Sequence, residues 1–407
     1  MSARRVFLHI GLHKTGTTFL QSVLQANRHR LAEQGVLFPG GDAGLVQKFA
    51  VWDLVGRRPR GVRDHRIAGQ WNALSQVVRG DARDTALISV EYLSLVTPAQ
   101  ARRAIHSFAG AQVHVVATVR DLGRVLVSAW QEELKNDNTW TWEEFATAVR
   151  DPGQRASNPA RGFWQQQDIP AVLETWRAAL PADRVHVVVV PPSGDSPQPL
   201  LTRFCGVVGI DPEQLVDDVT WTNESIGVAG AEVLRRVNAR LDHRLHQRQY
   251  DKVVKRTMSP AFRGDEAQRL VLPAAEVDWV QAEARRMVAA VESGGYDVVG
   301  DLGDLVPRAD AHGRHPGEAS SDELLEASLS ALARLAEEHA AVWWQTRGAE
   351  SGVAAAGASS RLGSSARRAA FASRRRGAAL ADRNRVAAGA MRVYLRLQAR
   401  ARRRALS

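Results

Sequence analysis

The chain has 407 residues, 44% of them apolar, which is enough for one large folded domain or two of ordinary size. Its single cysteine, Cys205, excludes an intramolecular disulfide and a cysteine-built metal site. The net charge of +10 does not indicate nucleic-acid binding, because residues 361–407 alone carry +13 and the first 360 residues together carry −3.

The N-terminal segment is predicted to be a first strand rather than a secretory signal. Its apolar run, Val6 to Leu12, is interrupted by His9 and leads into a loop of glycine and threonine, without a small-residue cleavage site. No stretch approaches the roughly 20 consecutive apolar residues that a membrane helix needs. We therefore expect a cytoplasmic protein that does not span a bilayer.

Short apolar runs alternate with longer helical patterns in the first half of the chain, as they do in βαβ units. The predicted strands are Val6–Ile10, Val36–Phe38, Ala86–Val90, Val113–Val119 and Val185–Val190. The predicted helices between them are Thr18–Gln34, Pro98–Ala109, Leu122–Asn136 and Ile169–Leu180. Since βαβ connections are almost always right-handed, the pattern predicts an α/β fold with a doubly wound, five-stranded parallel sheet.

Further helices are predicted after the fifth strand, at Leu200–Val208, Gly227–Leu245 and Ala274–Glu292. Residues 295–307 are interpreted as a terminal turn, so the main domain is expected to cover residues 1–307. A helical extension over residues 308–347 is predicted around an amphipathic helix, Asp322–Trp344, with Ser321 as its N-cap.

The last part of the chain is predicted to be a linker followed by a basic tail. Residues 348–366 are rich in Gly, Ala and Ser, which is typical of a flexible linker. Residues 367–407 are rich in arginine and alanine, and we interpret them as a solvated tail. The alternative is a tail that contacts an anionic membrane or a polyanionic acceptor, which would place the protein at the inner membrane face.

The strongest motif is VFLHIGLHKTGTTFLQ, residues 6–21, in which a strand, a glycine-rich turn and a helix follow one another. Free N–H groups at a helix N-terminus, together with the helix dipole, favour an anion in such a turn. Lys14 adds positive charge, and Gly11 and Gly16 allow the backbone to approach a ligand closely. The pattern predicts a phosphate or sulfate site formed by Lys14, Thr15, Gly16, Thr17 and Thr18. His13, within the same turn, either contacts the ligand as well or only fills space before Lys14.

The order of residues in this turn differs from the usual nucleotide triphosphate loop. There the lysine directly follows the second glycine, whereas Lys14 precedes Gly16 by two positions. The segment KTGTT resembles the 5′-phosphosulfate loop of the sulfotransferase family. The resemblance implies an enzyme that binds 3′-phosphoadenosine 5′-phosphosulfate (PAPS) and transfers its sulfuryl group to a hydroxyl, with Lys14 acting in catalysis as well as in donor binding.

A second segment, VRDLGRVLVSAWQEELK, resembles the 3′-phosphate site of the same family. Arg120, Arg124 and Ser128 are spaced by four, so they fall along one side of the predicted helix. Arginines with a hydroxyl suit a phosphate monoester, although arginines at such positions are also common in surface ion pairs. No metal is expected, because the fourth strand ends in Arg120 where a phosphoryl-transfer enzyme commonly has a Mg²⁺-binding acid.

Glu91 follows the third predicted strand and is a candidate general base. The carboxyl ends of parallel strands meet at one edge of a sheet, where Glu91 would join Lys14 and Arg120. The family resemblance implies a catalytic glutamate near this point, and we expect burial to raise its pKa toward neutrality. A glutamate that only caps the strand or pairs with an arginine is the alternative.

The acceptor is predicted from departures from the family's cytosolic members. His13 precedes Lys14 where those members have proline, and no obvious catalytic histidine follows the third strand. These differences favour a carbohydrate, glycolipid or secondary-metabolite hydroxyl over a small phenol. Candidates for an acceptor channel or for closure over the nucleotide, with core or surface positions as the alternative, are Trp130, Lys135, Trp164, Lys252, Lys255 and Arg256.

The similarity to bacterial sulfotransferases runs from about Val6 to Pro307. Two other functions are compatible with the same motifs. A P-loop nucleotide kinase or NTPase would bind ATP with Mg²⁺. A non-catalytic scaffold would retain the nucleotide loop and use the basic tail at a membrane.

Overall fold

A parallel sheet of six strands forms the centre of the protein in the computed structural model, which describes residues 4–40, 46–59, 62, 64–192, 196–216, 225–262, 269–308 and 313–352. The strands are β1 (Arg5–Gly11), β2 (Val36–Leu37), β3 (Thr85–Ser89), β4 (Gln112–Val119), β5 (Val185–Val189) and β6 (Asp297–Val299). Their order across the sheet is β2-β3-β1-β4-β5-β6, and all neighbouring pairs are parallel. The α/β class and the five predicted strands are confirmed, but the predicted strand count is wrong by one.

The helices of the described residues are α1 (Thr17–Ala26), α2 (Arg28–Glu33), α3 (Gln47–Leu54), α4 (Gln70–Gly80), α5 (Pro98–His106), α6 (Leu122–Lys135), α7 (Trp142–Arg150), α8 (Ala160–Gln167), α9 (Ile169–Arg177), α10 (Gln198–Val208), α11 (Val228–Leu241), α12 (Gln247–Tyr250), α13 (Ala274–Ser293) and α14 (Ser321–Gly352). A 3-10 helix, Glu91–Leu95, follows β3, and a π-helix, Asp251–Met258, follows α12. No helix in the described part of the chain is both long enough and apolar enough to cross a bilayer.

Successive side chains of the strands enter two separate cores, because alternate residues of a strand point to opposite faces of the sheet. Phe7 of β1 packs with α1 and α10 on one face, where Phe19, Leu20 and Phe204 are buried. The side chains of Leu8 and Ile10 enter the larger core on the other face, which also contains residues of α4, α6, α9 and α13. Burial on both faces explains why the strands read as continuous apolar runs.

Two predicted helices are shorter than the sequence pattern suggested. The predicted helix Thr18–Gln34 is divided at Asn27, whose side-chain amide donates to the carbonyl oxygens of Val23 and Val216 at 2.9 and 2.7 Å. The predicted helix Gly227–Leu245 ends at Leu241, because Asp242 and His243 have φ angles of 47° and 53°, outside the helical region.

The interpretation of residues 295–307 as a turn is wrong, because they contain β6 and a 3-10 helix, Leu302–Leu305. The predicted N-cap of α14 is also wrong by one residue. The helix begins at Ser321, and the hydroxyl of Ser320 accepts a hydrogen bond from the Glu323 N–H at 3.3 Å. The Glu323 carboxylate in turn accepts from the Ser320 N–H at 2.8 Å, which completes a capping box.

The chain divides into two compact units, residues 1–337 and residues 338–407. Within the first unit, the beginning of α14 packs on the body, since Ala331 is buried and the Arg334 side chain donates to the Thr257 carbonyl oxygen at 2.9 Å. Within the second unit, the helix continues to Gly352, so the first residues of the predicted linker are helical. The rest of the predicted linker and the whole predicted tail lie outside the described residues.

Candidate functional site

The glycine-rich turn lies between β1 and α1 and has an unusual backbone conformation. Gly11 and Gly16 have φ angles of 68° and 82°, and Lys14, which is not a glycine, has a φ of 67°. A Cβ atom on Gly16 would lie 2.5 Å from the Leu200 side chain, and one on Gly11 would lie 3.0 Å from Cβ of Glu91. The turn therefore requires both glycines. The strained backbone at Lys14 is of the kind that clusters at functional sites.

Side chains from outside the turn hold its carbonyl groups. Gln167 donates to the His13 carbonyl oxygen at 2.9 Å, and Arg120 donates to that of Lys14 at 3.3 Å. The buried Thr15 hydroxyl lies 2.6 Å from the Leu12 carbonyl oxygen and 2.7 Å from the Thr118 hydroxyl. These bonds fix the carbonyl oxygens of Leu12, His13 and Lys14 and hold the turn in front of the N-terminus of α1, the end of a helix that favours an anion.

A row of buried, hydrogen-bonded side chains connects the turn to the strands of the sheet. The His9 ring lies 2.7 Å from the Ser89 hydroxyl through Nδ1 and 3.3 Å from the Thr118 hydroxyl through Nε2. Burial lowers the pKa of His9 to about 4, so the ring is neutral at neutral pH. These hydrogen bonds connect β1, β3 and β4 next to Thr15, and they fix the position of the turn relative to the sheet.

The Lys14 ammonium group is paired with Glu132 of α6, a residue that the sequence analysis did not identify. Nζ of Lys14 lies 2.8 Å from Oε2 of Glu132, and Nζ of Lys255 lies 2.8 Å from Oε1 of the same carboxylate. Burial disfavours the charged form of Glu132, but the two ammonium groups outweigh burial and lower its pKa to about 2. The Lys255 side chain, from the π-helix, thus shares one carboxylate with Lys14 of the turn.

Glu132 lies on the same side of α6 as two predicted donor-binding residues. It follows Arg124 by eight residues and Ser128 by four, and positions spaced by four share one helix face. The half-buried Ser128 hydroxyl therefore lies on the face that meets the Lys14 side chain. Continuing the spacing of the predicted arginines by two helical turns would have found Glu132 from the sequence.

Three arginines bring excess positive charge to the start of α6. Burial, together with the charges of Arg124 and Arg269, lowers the pKa of Arg120 to about 10, against the opposing charge of Asp121. Within the described residues, Nε of Arg120 is buried without a hydrogen-bond partner. Arg124 is paired with Asp121 and also donates to the Pro191 carbonyl oxygen at 3.1 Å. An anion beside Arg120 would relieve both the repulsion and the missing hydrogen bond.

Glu91 begins the 3-10 helix after β3, next to the turn. The Gln21 side chain donates to its carboxylate at 3.0 Å and to the Ser89 carbonyl oxygen at 3.3 Å, so α1 orients the glutamate. Burial alone would raise the pKa of Glu91, but the Gln21 hydrogen bond and the charge of Lys48 contribute to a net lowering. The expectation that burial raises the pKa of Glu91 toward neutrality is therefore wrong. Glu91 is a carboxylate at neutral pH.

His13 lies between the two glutamates of the site. Burial lowers its pKa to about 4, and the charges of Lys14 and Arg57 act in the same direction, against Glu91 and Glu132. Its ring meets the Tyr92 ring edge-on, with centroids 5.5 Å apart. His13 is therefore a neutral imidazole at neutral pH, and in the described residues its Nδ1 atom has no hydrogen-bond partner.

Two tryptophans proposed for the acceptor channel belong to the core instead. Trp130 is 3% exposed and donates to the Trp140 carbonyl oxygen at 3.0 Å. Trp164 is 7% exposed and donates to the Val149 carbonyl oxygen at 2.9 Å. Both indoles are satisfied within the protein, so they support the fold rather than line a channel.

The sheet order brings the predicted motifs together. Strands β3, β1 and β4 are neighbours, so Glu91, the Lys14 turn and Arg120 lie at one edge of the sheet. Arg120 contacts the main chain of Lys14, while Glu132 contacts its side chain. The ammonium and guanidinium clusters thus adjoin each other.

No protein-family model matches this chain, and no curated protein matches it. A solved structure, a sulfotransferase from Alicyclobacillus acidocaldarius, is similar at 15% identity with a TM-score of 0.35, over 61% of this chain and 99% of that one.

Proposed function

We propose that this chain is a sulfotransferase that uses PAPS as donor. The proposal rests on the two contacts between Lys14 and the second motif. Arg120 donates a hydrogen bond to the carbonyl oxygen of Lys14, and the ammonium group of Lys14 donates one to the carboxylate of Glu132. Two adjoining cationic clusters suit a donor with a phosphosulfate at one end and a phosphate monoester at the other. Arg120, Arg124 and Ser128 would bind the 3′-phosphate, and the Lys14 turn would bind the phosphosulfate.

The proposed reaction is an in-line attack of an acceptor hydroxyl on sulfur. A new bond forms between the acceptor oxygen and sulfur, and the bond from sulfur to the 5′-phosphate oxygen breaks. Adenosine 3′,5′-bisphosphate leaves with the electron pair, which Lys14 and the N–H groups of the turn stabilise. The hydroxyl proton passes to Glu91, which is ionised and held by Gln21. The acceptor is a carbohydrate, glycolipid or metabolite hydroxyl.

The donor assignment is tested by calorimetry with adenosine 3′,5′-bisphosphate and with ATP plus Mg²⁺. We expect the bisphosphate to bind and ATP to bind at least about tenfold more weakly, because the bisphosphate carries a 3′-phosphate for Arg120. Lys14→Ala should weaken bisphosphate binding by about 10- to 100-fold, since it removes a charged hydrogen bond. It should also lower transfer of labelled sulfate by about a hundredfold or more.

Arg102→Ala, at an exposed position of α5, makes the same change in net charge and should leave binding and transfer unaltered. Preferential binding of ATP with Mg²⁺ would contradict the proposal and favour a kinase or NTPase. Binding of the bisphosphate without transfer to any member of an acceptor panel would favour a non-catalytic scaffold.

A further inference from the structure

A wall of aromatic rings stands beside Glu91, and cations lie over it. The ring wall consists of Phe49 and Trp52 of α3 and Tyr92 of the 3-10 helix after β3. The Phe49 and Trp52 centroids are 5.5 Å apart, and the Trp52 and Tyr92 centroids are 6.0 Å apart. The Tyr92 ring also contacts the His13 ring, so the wall is continuous with the phosphosulfate loop.

Two cations lie directly on the rings. Nζ of Lys48 is 5.0 Å from the Trp52 centroid and 5.6 Å from that of Tyr92, and the Arg57 guanidinium carbon is 4.8 Å from the Tyr92 centroid. Arg66 lies over Phe49 at 5.1 Å and extends the pattern. A cation over a ring face is held in place while its N–H groups stay available as donors.

These cations lack acidic partners in the described part of the chain. Neighbouring Arg58 is paired with Asp53 at 3.3 Å, whereas no carboxylate of the described residues pairs with Lys48 or Arg57. Both side chains are exposed. In the same part of the chain the indole N–H of Trp52 is buried without a hydrogen-bond acceptor. The wall therefore offers positive charge that no carboxylate of the described residues pairs with.

A side-chain contact fixes this wall relative to the candidate base. Gln47, the first residue of α3, accepts a hydrogen bond from the Ser89 N–H and donates to the Pro39 carbonyl oxygen, both at 2.8 Å. Ser89 ends β3, two residues before Glu91. The N-terminus of α3, with Lys48 next to it, is thereby tied to the strand that positions the carboxylate. The proposed donor site uses Lys14 and Arg120, which leaves Lys48 and Arg57 for a second ligand.

We propose that the ring wall with Lys48 and Arg57 binds an acceptor that carries an acidic group, such as a carboxylate or sulfate, on a sugar or aromatic ring. The acidic group of the acceptor would meet the two cations while its hydroxyl faces Glu91, and its ring would pack beside the half-buried rings Phe49 and Tyr92. This inference rests on the proposed function, and it narrows the acceptor class to anionic molecules.

The test compares acidic and neutral forms of one scaffold by saturation-transfer NMR, with and without saturating adenosine 3′,5′-bisphosphate. The two pairs of probes are methyl β-D-glucuronide with methyl β-D-glucoside, and 4-hydroxybenzoate with 4-hydroxybenzyl alcohol. We expect the acidic member of at least one pair to bind about tenfold or more tightly than the neutral one. The double variant Lys48→Gln/Arg57→Gln should reduce this preference to less than about threefold.

The matched control is Arg58→Gln/Arg79→Gln, which changes the net charge equally but removes one arginine paired with Asp53 and one exposed on α4. It should keep the preference. Absence of a preference in both pairs, including absence of binding, overturns the inference, and so does a preference that survives in the Lys48/Arg57 variant. Failure of the bisphosphate to bind would instead overturn the proposed function. The measurements without bisphosphate would still show whether the ring wall prefers acidic ligands.

Discussion

The carboxylate of Glu132 partly neutralises the positive charge of Lys14. One carboxylate accepts hydrogen bonds from two ammonium groups that lie 241 positions apart in the chain, at Lys14 and Lys255. An anionic donor that binds Lys14 must compete with this carboxylate or share the two lysines with it. The residue thus opposes donor binding electrostatically while holding the two cations close together.

Glu132→Gln should tighten the binding of adenosine 3′,5′-bisphosphate roughly three- to tenfold, because it removes a negative charge a few ångströms from the bound phosphate. Calorimetry at fixed ionic strength measures the effect. The control is Glu133→Gln, since the neighbouring carboxylate accepts from Asn138 rather than from a lysine. It should change the affinity less than about twofold. Weaker binding by Glu132→Gln would show that placing the lysines matters more than the competing charge.

Whether a site residue could be identified from the sequence depends on how local its signal is. The Lys14 turn could be identified because its residues are contiguous, and Arg120 and Glu91 because each follows an apolar strand. Glu132 could be reached only by extending the four-residue spacing of Arg124 and Ser128 along α6. Gln21 and Arg269 could not be assigned from the sequence, since their roles depend on contacts between distant segments. The pKa of Glu91 was predicted in the wrong direction for the same reason, because burial is outweighed with the help of Gln21 and Lys48.

At the scale of an element, the capping box of Ser320 and Glu323 at the start of α14 can be tested by substitution. Ser320→Ala should lower the stability of the first turn by about 1 kcal/mol, because it removes the acceptor of the Glu323 N–H. Amide hydrogen exchange in that turn, with urea unfolding of the whole chain, measures the loss. Ser321→Ala is the matched control and should change stability by less than about 0.5 kcal/mol. Equal effects of both substitutions would contradict the assigned capping box.

Elements with a clear apolar period or with flanking caps and turns could be predicted from the sequence, and elements defined by distant contacts could not. Helix α6 differs from its prediction by one residue, since its apolar spacing and the Asp121 cap are both visible in the sequence. Strand β6, Asp297–Val299, was missed because it lies in a segment rich in glycine and aspartate that resembles a turn, and only the pairing with β5 defines it. The break at Asn27 depends on Val216, 189 positions away.

At the scale of the whole molecule, buried histidines should make the protein sensitive to acid. Burial lowers the pKa of His9, His13 and His114 to about 4, so these rings stay neutral in the folded protein. The unfolded chain takes up protons on them below about pH 6.5. Their contribution to stability is therefore complete above that pH and is lost as the pH falls toward 4. His243 acts the other way, because hydrogen bonding to Asp137 raises its pKa.

Urea unfolding between pH 7 and 4.5 should show a net uptake of about two to three protons on unfolding near pH 5. His114→Asn should reduce this uptake by about one proton. Exposed His29, substituted in the same way, is the control and should leave the pH dependence unchanged. A stability that does not vary over this range would contradict the neutral state of the three rings.

Both outer strands of the sheet are very short, with two residues in β2 and three in β6. An exposed edge normally offers a row of unsatisfied amide and carbonyl groups onto which another polypeptide can add a strand. With so few such groups at either margin, self-association by edge-to-edge pairing is disfavoured. The four longer strands, which could template such growth, all lie between neighbours.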